Sequence, residues 1–177
     1  SPYRVVEADI REFSTSACFD LTHVRYVLIH NHDAKSLIAR LKSMLKPGGC
    51  LVLEEPDFEA ARWLDDRYAV SGNKVNQAMS AMFADQGLNP GFGKGLPMQA
   101  VDLGFVVEKA NTVVHLAPGC SPIAAMMAES TRALKEKYLS TGKVEEKDIE
   151  FYIRGAGDPE SFAAYYSTVS IVARKPD

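Results

Sequence analysis

The chain of 177 residues is poor in cysteine and tryptophan, has no long apolar run, and carries no excess of positive charge. Its three cysteines, Cys18, Cys50 and Cys120, lie far apart and form no CxxC pair. That spacing argues against a structural zinc site or a disulfide framework and favours a reducing, cytoplasmic setting. No stretch approaches the roughly 20 apolar residues that cross a bilayer, so no membrane partner is expected. A net charge of −3 leaves no basic face for counterion release, so no nucleic-acid partner is expected either. The basic residues of "KEKYLSTGKVEEKDIE" alternate with acids, as on a solvated helix face. There is no GxSxG elbow and no cysteine in a recognisable Cys-His setting, so nucleophilic catalysis has no anchor. The first residues, "SPYRVVEADI", lack an initiator methionine. The expectation is that the chain was cut or follows other residues, and a missing targeting signal then says little.

With 46% hydrophobic residues, the chain can bury a real core within a single domain, residues 1–177. The stretch "LKPGGCLVLEEPD", Leu45 to Asp57, is informative. Upstream, Asp33 can cap a helix whose Leu37, Ile38, Leu41, Met44 and Leu45 fall on one face, and Gly48 and Gly49 read as its stop. Leu51 to Leu53 then form a short apolar strand that ends on Glu54, Glu55 and Asp57. Ionised carboxylates are costly to bury unpaired, so these belong at a wet rim or against donors. The spacing predicts a strand at Tyr3–Ala8, a second running from Phe19 through "VRYVLIH", and β-α-β connectivity into "CLVLEE". "NKVNQAMSAMFADQG" and "LPMQAVDLG" read as helices, with Met79 and Met82 of the first as core residues. "FVVEKANTVVHLA" reads as a strand, and "SPIAAMMAESTRALKEKYL" as one long helix after a Ser-Pro cap. "EEKDIEFYIRG" and "DPESFAAYY" complete the helices, and "STVSIVARKPD" closes the chain as a strand. The alternation defines an α/β fold, with residues 121–160 as a helical insertion before the last strand.

Two local motifs invite chemistry. In "HNHDA", His30 and His32 would share a strand face, but the remaining imidazoles, His23 and His115, lie elsewhere, and Asp33 as a helix cap explains its position. No metal is expected. "GFGKG" has the glycines of a phosphate cradle, yet it follows no strand and lacks the Ser/Thr after lysine, so it reads as a turn before a helix.

Taken in order, "VVEADIREF", "FDLTHVRYVLIHN", "LIARLKSMLKPGGCLVLEEPDF", "LPMQAVDLGF" and "VSIVARKPD" resemble the latter part of a class I S-adenosylmethionine (SAM)-dependent methyltransferase. The resemblance implies a Rossmann-like sheet of order 3-2-1-4-5-7-6, SAM as cofactor with S-adenosylhomocysteine as product, and a small-molecule acceptor. It implies that Asp9 accepts from the adenine amino group, that Ile10 packs on the ring, and that Val24 and Arg25 lie near the methionine end. Arg25 could instead pair with a structural acid such as Asp20 or Glu54. The acids Glu55 and Asp57, with His30, would face the substrate, and any of the three could act as a general base.

The chain departs from that family in one respect. The glycine-rich loop after the first strand and the acid ending the second, which hold the nucleotide, are absent from these residues. A sheet that begins at the third strand has a two-strand gap, and open strand edges pair with other chains, so a homodimer or strand exchange is an expected partner arrangement. The isolated chain is expected to bind SAM weakly or not at all. The alternative is a degenerate methyltransferase-like domain that serves as a binding or assembly module.

Overall fold

The computed structural model of the chain describes residues 4–13, 15 and 19–177, so Tyr3 and Cys18, named above, lie outside the described residues. Strand β1 (Phe19–Arg25), helix α1 (Ala34–Met44) and strand β2 (Leu45–Asp57) form the expected β-α-β unit, with β1 and β2 parallel. Strand β3 (Arg62–Trp63) precedes α2 (Asp66–Asp85) and α3 (Leu96–Asp102). Strand β4 (Val106–Pro118) leads into α4 (Pro122–Ala133), α5 (Lys135–Ser140) and α6 (Glu146–Ala156). The final strand, β5 (Phe162–Arg174), lies antiparallel between β2 and β4, and its first half also pairs with β3. The long path through the sheet is therefore β1-β2-β5-β4, which matches strands 4-5-7-6 of the resemblance.

Two apolar layers hold this together. Leu37, Ile38 and Leu41 of α1 pack with Leu96 of α3 against Leu51, Leu53 and Ile171 of the sheet. Each such side chain contributes about 1.5–3 kcal/mol on full burial. The second layer centres on Trp63, whose ring meets Tyr68, Tyr152 and Tyr165 edge-on or tilted, at centroid distances of 5.2 to 5.9 Å. Both helices that flank this indole touch it through glycine. A Cβ at Gly72 of α2 would stand 2.1 Å from Trp63 Cδ1, and one at Gly155 of α6 would stand 2.6 Å from its Cζ3. Gly72→Ala is thus expected to destabilise the protein by about 1–3 kcal/mol through overpacking. Trp63 is the sole tryptophan, so its emission during urea unfolding reads both the lost stability and the displaced ring.

Several expectations give way to tertiary forces. Residues 4–9 form no strand: Val5 is 93% exposed, and β1 pairs only with β2 among the described residues. A lone segment without a neighbour to share its amides gains little by extending. Gly48 and Gly49 do not stop α1, because Leu45 is already extended and paired with Phe19. They lie in a bulge where the β1–β2 register slips, and Gly48 takes φ +68° there and donates its amide to the Lys175 carbonyl. The long helix expected from "SPIAAMMAESTRALKEKYL" breaks at Leu134 into α4 and α5. "FAAYY" is strand and not helix, since Ala163 and Ala164 pair with β3 on one side and β4 on the other.

Candidate functional site

The carboxyl end of β1 is shaped by one buried carboxylate. "VRYVLIH" reads as continuous strand from its β-branched residues, yet the strand ends at Arg25, Tyr26 adopts φ +55°, and Leu28–His30 form a tight 3-10 turn. Glu55, fully buried at the end of β2, accounts for the change. Its Oε1 accepts from the amides of Val27 (3.0 Å) and Leu28 (2.8 Å), and its Oε2 accepts from that of Ile29 (3.1 Å). Three successive N–H groups can converge on one carboxylate only if the chain curls, so the acid bends the strand into a turn. Burial raises the Glu55 pKa above its ordinary value, while these three amides and the nearby His30 oppose the rise. The left-handed Tyr26 is held from the other side, by a 2.6 Å hydrogen bond between its hydroxyl and that of Thr168.

His30 ends this turn and is exposed. Its ring lies 6.1 Å from that of Phe83 and borders a cavity of about 300 Å³ between α2 and the α4–α5 segment. Asp57 does not reach the cavity as a free acid. It is 5% exposed and accepts from the Glu59 amide at 3.0 Å, capping the short turn that presents Phe58. Phe58 in turn stacks with Phe83 (5.4 Å) and Tyr166 (5.7 Å), and Tyr166 meets Tyr26 at 6.0 Å. Of the three candidate bases, His30 alone is open to the cavity. Glu55 and Asp57 serve as its scaffold and that of Phe58. No local pattern announces this aromatic band, because Tyr26, Phe58 and Tyr166 come from three separate segments.

The candidate cofactor residues partly converge. Ile10, Val24 and Arg25 border a cavity of about 250 Å³ beside β1. Arg25 lies over the Tyr26 ring at 4.9 Å; of the two acids considered as its partners, Asp20 pairs with Lys46, while Glu54 bonds His23 and its charge also acts on Arg25. Asp9 turns away: one carboxylate oxygen accepts from the Arg11 amide at 2.8 Å and the other from the Arg11 guanidinium at 3.3 Å. Arg11 also grips Asp33, holding that carboxyl below its usual range, so Asp33 keeps the first position before α1 without capping it by its side chain. A carboxylate has lone pairs to spare after two such bonds, so Asp9 can still accept from an exocyclic amine. Ile10, Val24 and Arg25 thus give one cavity apolar walls and a cation, which suits a ligand carrying a carboxylate, and Asp9, tied to Arg11, does not line it. Among the described residues no group of three His, Cys, Asp or Glu side chains could hold a metal ion.

No protein-family profile matches the chain. It is 33% identical over 82 residues to methyltransferase str2 of Strobilurus tenacellus, an overlap that covers 46% of this chain and 29% of that protein. Over 94 residues it is 29% identical to the uncharacterized methyltransferase C1B3.06c of Schizosaccharomyces pombe, covering 53% of this chain and 33% of the other. The chain thus spans about a third of these relatives' length. Its structure superimposes over 97% of its length on 71% of a Bacillus halodurans C-125 protein assigned to the methyltransferases, with a TM-score of 0.58 at 16% identity. By fold, the chain matches the Rossmann-like sheet seen in methyltransferases. The methyltransferase sheet also supports other chemistry, since the [4+2]-cyclase SpnF matches 96% of the chain with a TM-score of 0.51 at 18% identity. Fold therefore sets the stage, and the reaction has to be argued from the side chains at the carboxyl ends of the methyltransferase strands. Among the described residues no helix is long and apolar enough to cross a membrane.

Proposed function

We propose that this chain forms the acceptor-binding side of a SAM-dependent methyltransferase acting on a small molecule, with His30 as the general base. The observation that carries the reading is the clamped turn: Glu55 fixes Val27 to Ile29 from below, and the next residue, His30, opens on an apolar cavity. When bound, SAM supplies a sulfonium-activated methyl group. Ile10 would pack on its adenine ring, Asp9 would accept from the amine, and Val24 and Arg25 would lie at its methionine end, where Arg25 would pair with the carboxylate. What the chain itself contributes is orientation and exclusion of water, which can lower a bimolecular barrier by about 7–11 kcal/mol. It also contributes a base at His30 that takes the acceptor's proton as the methyl group transfers.

A second reading, a binding module without catalysis, is favoured by one feature. These 177 residues contain no glycine-rich loop between a strand and a helix to cradle the nucleotide. Titration calorimetry with SAM separates the two. The full-length protein that carries these residues is expected to bind with a micromolar Kd, and the 177-residue chain alone far more weakly. Absence of binding by the full-length protein would sink the enzyme reading, and micromolar binding by the chain alone would contradict the assignment of the nucleotide grip to other residues. The free edge of β1 is where a second copy or additional strands would pair.

A further inference from the structure

The cavity next to His30 has an unusual balance of side chains. Its walls are apolar: Met79, Met82 and Phe83 come from α2, Met127 from α4, and Phe58 and Tyr138 close the ends. Its polar groups are His30, Gln86, Ser130 and Lys137, and no acid lines it. On the same helix Lys135 pairs with Glu146, whereas Lys137 is in no ion pair among the described residues.

We propose that this cavity selects an apolar phenol as the methyl acceptor and rejects amines. The inference rests on the reading of His30 as the base and deepens it. An ammonium group would enter a site that offers a lysine, a histidine and no carboxylate, so its charge finds repulsion where an N-methylating pocket needs an acceptor. An aromatic ring finds Phe58, Phe83 and Tyr138 for edge-to-face contact. Three methionines line the walls with unbranched, polarizable chains that adapt to an irregular body. At about 300 Å³ the cavity is at the small end of ligand sites, enough for one or two rings and not for a peptide. A phenol, with an ordinary pKa near 10, holds its proton at neutral pH and so needs a base, which His30 supplies. The bond balance is simple. The phenol O–H proton passes to the His30 ring nitrogen, the oxygen forms a bond to the methyl carbon, and the sulfonium–methyl bond breaks with its electron pair going to sulfur. Lys137 stabilises the oxyanion that forms on the way.

Para-nitrophenol, whose colour reports its own ionisation, is a direct probe for the 177-residue chain. A merely apolar cavity raises the pKa of a bound phenol, and a cavity holding Lys137 lowers it. Expected are a fall of about one pH unit on binding, most of it lost in Lys137→Gln, and shifts in the methyl NMR signals of Met79, Met82 and Met127 but not of Met44 or Met98. Phenylbutylamine is expected to bind about tenfold more weakly than butylphenol. The proposal is overturned if the probe's pKa rises, if Lys137→Gln leaves it unchanged, if the methionine signals stay still, or if the amine binds as tightly. No SAM enters the measurement, so its outcome is independent of whether the protein binds that cofactor.

Discussion

Glu55→Ala is expected to lower the stability of the protein by about 3–6 kcal/mol, a large fraction of the 5–15 kcal/mol that holds a typical domain together. The side chain is fully buried, and it is the acceptor for three backbone amides, two of them in buried bonds. Truncation leaves those N–H groups facing a void, and each unsatisfied buried donor costs about 1–3 kcal/mol. The turn is then free to relax, and with it the left-handed Tyr26. Glu55→Gln is expected to cost less: its carbonyl can still accept from Val27 and Leu28, while its amide faces the Ile29 N–H donor to donor. Urea denaturation of both variants checks the order.

The pH dependence follows from the direction of the Glu55 shift. Because burial raises its folded value above 4.5, the folded state holds this proton more tightly than the unfolded chain. The contribution to stability is thus full below the ordinary carboxyl value and fades as pH rises through the raised one. The difference between wild type and Glu55→Ala should therefore be larger at pH 4 than at pH 7, the reverse of a salt-bridged surface acid. A difference that grows toward neutral pH would mean that hydrogen bonding outweighs burial at this carboxylate.

His30→Ala is expected to slow methyl transfer by the full-length protein by about 10²–10⁴-fold, the usual contribution of a positioned base. The residue is exposed and its loss leaves no buried group unpaired, so stability should hold within about 0.5 kcal/mol. SAM affinity should be unchanged, because the residues assigned to the cofactor border a different cavity. A kcat loss with KM preserved, recovered in part as pH rises and the phenol ionises unaided, separates proton removal from simple packing. If His30→Ala retains more than about a tenth of the wild-type rate, the base lies elsewhere.

The sequence carried the β-α-β unit and the packing face of α1, because periodicity encodes them, and the resemblance to methyltransferases supplied the order of the described sheet. It did not carry the end of β1. "VRYVLIH" has every local reason to remain extended, and the carboxylate that bends it is 26 to 28 residues away in sequence on a strand whose register had to be known first. Glu55 and Asp57 were legible as acids at a strand end, but their tasks were not: the same residue type can face a substrate or hold a turn, and only the positions of the amides decide. Asp9 shows the same ambiguity, since the residue two positions on, Arg11, engages it. The cavity beside His30 was invisible for another reason. Its walls come from α2 and from the helices after β4, which meet only when the chain is folded, and the break at Leu134 that turns α5 toward α2 has no proline or glycine to announce it.

The most direct test is a crystal structure of the full-length protein with S-adenosylhomocysteine. Expected are the adenine ring over Ile10, the methionine end beside Val24 and Arg25 with the sulfur at the carboxyl end of β1, and His30 across the gap with the methionine-lined cavity beyond it. A cofactor bound away from β1, or a His30 turned out of line from the sulfur, would contradict it.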